Sequence, residues 1–164
     1  MNKGLLRKIA IVLIVLLNFG CDQISKEVVR QHVTPRDYIQ LIGDRFILTN
    51  VENTGAMLGF GQQFPFWIKL ILFQALPIMV LLILLYRILS KEHLGRWSIL
   101  AFACVIGGGI GNLVDRIAYG SVTDFFQIQL GIFKTGIFNM ADVSVTFGVI
   151  LLLALSFSKE KSLF

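Results

Sequence analysis

The sequence offers little with which to bind a metal or cross-link itself. Its two cysteines, Cys21 and Cys104, both fall in apolar stretches and read as small membrane-buried residues, which leaves no disulfide framework to organise the chain. Of its two histidines, His32 and His93 fall on opposite sides of the membrane in the topology derived below, and no HExxH or CxxC spacing occurs. No metal centre and no cofactor are therefore expected. A GxSxG turn is also missing, and Ser121 and Ser144 have no partnering histidine, which argues against a serine hydrolase. Without an internal repeat, a low-complexity run or a soluble linker, residues 1–164 are expected to form a single domain.

What the chain has in abundance is apolar surface. Hydrophobic residues make up 55% of its 164 positions and the mean hydropathy is +0.77, too apolar for an ordinary soluble domain. Crossing a hydrocarbon layer of roughly 30 Å takes about 20 mostly apolar residues. Four windows qualify, at about 5–21, 66–89, 97–114 and 138–157, so the expected fold is an all-α membrane protein of four transmembrane helices. Lys3, Arg7 and Lys8, then Arg87, Lys91 and Arg96, then Lys159 and Lys161 flank these windows on one side, eight basic residues against the two acids Glu92 and Glu160. The positive-inside bias assigns that side, with both termini, to the cytoplasm. The segments 22–65 and 115–137 then lie outside, with six Lys/Arg and, counting Asp142, eight acids. The net charge of +5 is thus a topology signal, and its division among short cytoplasmic ends argues against a nucleic-acid partner. Asn18-Phe19-Gly20-Cys21, following an apolar run, imitates a lipoprotein signal; Asn18 and Phe19 fit it poorly, and the segment reads as an uncleaved first helix.

The long outer segment carries a hairpin signal. Residues 37–42 and 45–50 flank Gly43-Asp44, a two-residue turn, and Phe126, Ile128 and Leu130 alternate with Gln127 and Gln129 as a further extended piece. A small sheet on the extracytoplasmic surface is expected. Phe64, Phe66, Trp67 and Trp97 fall near span ends, where aromatic rings favour the interface. In the second span Lys69 is placed to snorkel outward, and Pro77, lacking an N–H, is expected to kink the helix.

Acids next to hydrocarbon are costly, and Asp22, Asp115, Asp124 and Asp142 all fall at outer span ends. Two carboxyls within hydrogen-bonding range share a proton, so that one activates water while the other polarises a carbonyl. Equally, each acid can cap a helix or pair with Lys26 or Arg116, and the sequence pattern leaves open which pair meets. A membrane protein whose outer acids bind a cation is the competing reading. The run Gly107-Gly108-Gly109-Ile110-Gly111 lies within a span and reads as close helix packing rather than a nucleotide loop.

Five blocks then resemble one family in its order: Asp22-Gln23-Ile24-Ser25-Lys26, Asn53-Thr54-Gly55-Ala56, Gly111-Asn112-Leu113-Val114-Asp115-Arg116, Val122-Thr123-Asp124-Phe125 and Phe138-Asn139-Met140-Ala141-Asp142. Over essentially its full length the chain resembles bacterial lipoprotein signal peptidase, also called signal peptidase II. The resemblance implies an aspartic endopeptidase (a hydrolase) of the bacterial inner membrane that cuts prolipoproteins before a diacylglyceryl-modified cysteine, with the outer sheet as a cradle beside the substrate. It implies that Asp124 and Asp142 are the catalytic pair and that Asn53, Asn112, Arg116 and Asn139 surround them. It further implies that Asp22 and Lys26 position the first helix and that Gly55, Gly108 and Ala141 are required to be small. Lipidated prolipoproteins and membrane lipids are the implied partners of a monomeric enzyme. Two departures from the family pattern, Met57 for a frequent alanine and Thr123 for a common valine, are expected to affect substrate fit only. The presenilin-like and prepilin-peptidase Gly-x-Gly-Asp pattern is missed, since the chain reads Gly109-Ile110-Gly111-Asn112.

Overall fold

The first apolar window does not end at Cys21. In the computed structural model, which describes residues 3–91 and 94–157, it continues as one 30-residue helix, α1 (Lys3–His32). Glu92, His93, Lys159, Glu160 and Lys161 lie outside the described residues, as do the side chains of Lys3 and Met57. The extension has a physical reason. Asp22, Lys26 and Arg30 recur every four residues and so share one helix face, which is turned inward and ion-paired, while Ile24 and Val28 point outward. The second span is α2 (Phe66–Leu70), a π turn (Ile71–Ala75) and α3 (Leu76–Ser90). Pro77 lies in the first turn of α3, and the widened turn before it accommodates the ring that would otherwise crowd the carbonyl four residues back. Lys69, in α2, donates to Thr54 Oγ1 at 3.5 Å.

Helix α4 (Arg96–Tyr119) runs past the expected end at Val114, so Asp115 and Arg116 are helical; it stops at Gly120, whose φ of +74° suits a left-handed cap. It is the central helix, and its glycine run shows why. Successive residues turn by about 100°, so three consecutive glycines meet three neighbours: Gly107 the Val15 carbonyl and Asn18 of α1, Gly108 the Ala141 carbonyl of α5 (Met140–Phe157), and Gly109 the Leu81 side chain of α3. A Cβ on Gly108 would stand 2.5 Å from that carbonyl oxygen, which belongs to backbone and cannot swing away. Gly108→Ala is accordingly expected to destabilise the protein by about 1–3 kcal/mol, read as a lower melting temperature in detergent. Unchanged melting would mean that α4 and α5 are not in this register.

The outer segments form a four-stranded antiparallel sheet in the order β1 (Ile39–Ile42), β2 (Phe46–Asn53), β3 (Val122–Leu130), β4 (Phe133–Lys134), with Gly43 at φ +49° in the expected turn. Strands β2 and β3 change register once. Phe46, Ile47 and Leu48 face Ile128, Gln127 and Phe126, but Val51, Glu52 and Asn53 face Asp124, Thr123 and Val122. One extra residue in β2 at Thr49-Asn50 makes this bulge, and because strand side chains alternate with period two it exchanges the faces of everything after it. Asn53 thereby shares a face with Asp124, and Glu52 is sent to the opposite face with Thr123. The bulge is tied to the end of α1, for Asn50 Nδ2 donates to the Val33 carbonyl at 2.8 Å and the Arg36 N–H donates to the Asn50 carbonyl at 2.9 Å. Phe125 packs there on Val29 and Val33, seating the sheet on α1.

A second cluster, Ile11, Val15, Ile88, Ala103 and Ile106, joins α1, α3 and α4 at the other end. Among the described residues, four helices, at 4–32, 66–90, 96–119 and 140–157, are long and apolar enough to cross a membrane. The outward residues Val80, Leu82 and Ile83 of α3 and Val149 and Leu153 of α5 remain exposed, as suits helices solvated by hydrocarbon.

Candidate active site

The start of α5 builds one half of the site. Asn139 immediately precedes the helix, and its Oδ1 accepts the Asp142 N–H at 3.0 Å while Asp142 Oδ2 accepts the Asn139 N–H at 3.2 Å. This reciprocal capping box satisfies two N-terminal donors and fixes Asp142 in the first turn. The N–H of Ala141 goes to Asp22 Oδ1 at 2.8 Å, so α1 supplies a further cap. The free side of Asp142, Oδ1, accepts from Asn112 Nδ2 at 2.8 Å.

Asp124, on β3, forms the other half. Its Oδ1 accepts from Asn139 Nδ2 at 2.6 Å and its Oδ2 from Asn53 Nδ2 at 2.9 Å. Asn139 thus touches both carboxyls, Asp124 through its side-chain amide and Asp142 through its backbone. The amide orientations follow from their other partners. Asn112 Oδ1 accepts from Lys26 Nζ at 3.0 Å and from Asn139 Nδ2 at 3.1 Å, which leaves its Nδ2 for Asp142. Asn53 Oδ1 accepts the Gly55 N–H at 3.0 Å, which leaves its Nδ2 for Asp124. That turn is tight: a Cβ on Gly55 would lie 2.5 Å from the Phe60 carbonyl oxygen. Arg116 closes it, donating to the Gly55 carbonyl at 3.0 Å and to the Asn112 carbonyl at 3.2 Å.

Asp124, Asp142, Asn53, Asn112 and Arg116 line one cavity of about 600 Å³. Its remaining wall is largely apolar. Val143, Thr146, Phe147 and Ile150 recur at helical spacing down one face of α5, so the cavity extends roughly 10 Å along that helix from Asp142. Leu58 covers it from the outer segment. Asp124 is 4% exposed, and burial pushes its carboxyl from 3.8 up to about 6; the nearby Asp142 charge acts the same way, while the hydrogen bonds from Asn53 and Asn139 partly restrain the rise.

The four outer acids therefore separate. Asp22 and Asp115 are fully buried partners of cations: Lys26 Nζ lies 2.7 Å from Asp22 and 3.0 Å from Asp115, and Arg30 Nη2 lies 3.1 Å from Asp115. Asp142 caps a helix and still reaches the cavity. Asp124 is held by neutral amides. Of the residues expected at the site, six converge, and Gly55 shapes the loop above them. Asp22 and Lys26 stand behind Asn112 and Ala141, and Gly108 backs Ala141 from α4. Sequence reasoning offered Lys26 as a partner for any of the acids, and Lys26 does pair with both Asp22 and Asp115; it overlooked Arg30, although the four-residue spacing of Asp22, Lys26 and Arg30 was a usable signal. Thr123 is the other surprise. Its side chain is on the face of β3 opposite Asp124, bonded to Arg30 and Glu52, so the departure at this position concerns the strand rather than a cavity wall.

Fold and site together define a multi-pass membrane protein with two carboxyls on one cavity. The sequence profile of the signal peptidase (SPase) II family matches residues 13–158. The chain is 35% identical over 144 residues to the lipoprotein signal peptidase of Moorella thermoacetica, covering 86% of this chain and 88% of that one. It is 32% identical over 155 residues to the corresponding protein of Streptococcus thermophilus, covering 94% and 97%. A solved bacterial membrane enzyme superposes with a TM-score of 0.79 at 27% identity, covering 93% of this chain and 92% of that one. A second gives 0.81 at 25% identity, covering 92% and 94%. The chain belongs to the signal peptidase II family, and is thus a membrane protease that removes signal peptides from lipoproteins.

Proposed function

We propose that the chain is an intramembrane aspartic endopeptidase that cuts prolipoproteins immediately before the diacylglyceryl-modified cysteine, with Asp124 and Asp142 as its catalytic pair. The observation that carries this reading is the bridge through Asn139, which holds two carboxyls from separate elements at one cavity. Neutral Asp124 donates to the scissile carbonyl oxygen, and ionised Asp142 takes a proton from the attacking water. As the tetrahedral intermediate collapses, Asp142 passes that proton to the cysteine nitrogen as the C–N bond breaks, and a hydroxyl of the intermediate gives its proton to the Asp124 side as the new carboxyl forms, which returns the pair to its starting state. Asn53 and Asn112 keep the carboxyls in place, and Arg116 holds the loop above them.

The positive-inside bias supports an orientation with both termini cytoplasmic and the sheet, the cavity mouth and the two carboxyls at the outer face of the bacterial inner membrane. The apolar arm along α5 suits the hydrocarbon chains of the lipidated cysteine. Affinity gained there is small, because the chains exchange one apolar medium for another. Lipidated prolipoproteins and membrane lipids are the partners, and one chain carries the whole site. A cation-binding role for the outer acids fits less well, since Asp22 and Asp115 already neutralise Lys26 and Arg30.

The test compares a lipidated precursor with its unlipidated form, using mass spectrometry of the new N-terminus. Cleavage confined to the lipidated form, with the modified cysteine first in the product, is expected; equal cleavage of both would reject the substrate assignment. A pH prediction follows from Asp124. Its carboxyl is neutral below about pH 6 and loses the proton above it, so kcat/KM should fall as pH rises through about 6. The profile belongs to the coupled pair; a rate still climbing at pH 9 would show that a protonated Asp124 is not needed.

A further inference from the structure

Strand β3 presents its residues alternately to two sides. Asp124 faces the cavity, whereas Thr123, fully buried, faces a polar layer between α1 and β2. There Thr123 Oγ1 accepts from Arg30 Nε at 2.8 Å and donates to Glu52 Oε1 at 2.6 Å. Its backbone N–H lies 3.4 Å from Asp115 Oδ2, the oxygen that also pairs with Arg30. Ser121 Oγ donates to the other oxygen of Glu52. A hydroxyl accepts from a guanidinium and donates to a carboxylate at once, which a valine of the same shape does not. Glu52 reaches this layer only because the bulge at Thr49-Asn50 has exchanged the faces of β2. The chain of contacts Asp115–Arg30–Thr123–Glu52–Ser121 therefore ties the ends of α1 and α4 to β2 and β3, one residue before Asp124.

We propose that Thr123 is a positioning residue for Asp124, anchoring β3 through Arg30 and Glu52 so that the carboxyl stays seated between Asn53 and Asn139. The proposal rests on the reading of Asp124 as catalytic. With valine at this position, Arg30 Nε and Glu52 Oε1 lose their shared partner, and the strand is free to shift by a fraction of an ångström. Displacement on that scale lowers the chemical rate more than it lowers substrate binding, because the apolar arm on α5 is untouched.

Steady-state cleavage of a lipidated precursor peptide by purified Thr123→Val and Thr123→Ser enzyme tests this, with rates referred to folded enzyme measured by thermal melting. Thr123→Val is expected to lower kcat about 10-fold with KM within about twofold of wild type, and Thr123→Ser to restore kcat to within about threefold. Wild-type kcat in the valine variant, or equal impairment of the serine variant, would overturn the proposal. Should the valine variant fail to fold, Glu52→Ala decides: a lowered kcat at unchanged KM supports the anchor, and an unchanged kcat removes it. An Asp124→Asn enzyme run in parallel separates the two layers of inference. If it still cleaves, the catalytic reading fails; if it is inactive while Thr123→Val is normal, only the positioning role fails.

Discussion

Asp124→Asn and Asp142→Asn should each lower kcat for a lipidated precursor by about 10³- to 10⁴-fold, the scale of losing an acid or base that acts in the transition state. An amide is nearly the same size as a carboxyl but exchanges no proton at these pH values. It also suits its surroundings poorly. Both oxygens of Asp124 accept from amide N–H groups, and both oxygens of Asp142 accept from Asn112 and the Asn139 backbone, so an added NH₂ would meet a donor at either site. The double variant should be no worse than the more damaged single one, because the two residues act as a unit. Binding of the lipidated peptide should survive, for the apolar arm of the cavity is intact. Either single variant retaining a tenth of wild-type kcat would reject the paired-carboxyl mechanism.

The second large effect is on stability. Lys26 is fully buried and spends its three donors on Asp22, Asp115 and Asn112, so Lys26→Met leaves two buried carboxylates short of their principal cation. Breaking a buried ion pair by removing one partner costs about 3–5 kcal/mol. Unfolding in detergent should register a loss of that size, and Lys26→Met/Asp22→Asn should be less destabilised than Lys26→Met alone because one orphaned charge is gone. Activity should fall as well, since Lys26 is one of the two donors, with Asn139, that turn the Asn112 amide toward Asp142. A loss below about 1 kcal/mol would mean that the cluster does not hold α1 to α4.

Which faces Glu52 and Asn53 of β2 occupy was beyond sequence reasoning. Alternation assigns residues to faces only while register is constant, and the extra residue at Thr49-Asn50 reverses the assignment for Val51, Glu52 and Asn53. Read without it, Glu52 would have been set beside Asp124 and Asn53 away from it. The bulge is held by Val33 and Arg36, which belong to the end of α1 and the segment after it, and nothing in the local pattern of β2 announces them.

The amino-acid order alone settled the number of membrane-crossing helices, the hairpin turn at Gly43 and the close packing around Gly107–Gly109. Each of these depends on a local property: a long enough apolar run, a turn-forming pair, or side chains too small to keep helices apart. Where α1 and α4 end, and which of four similar aspartates share the cavity, the residue pattern left open, the pair being named only by the family resemblance. A helix carrying Asp22, Lys26 and Arg30 continues past the apolar run only if Asp115, far along the chain, arrives to balance the cations. Once those charges are spent on one another, Asp124 and Asp142 are the carboxyls left facing the cavity among neutral amides. Free energies that link distant segments leave no periodic trace in the chain, and they are what sorted the acids.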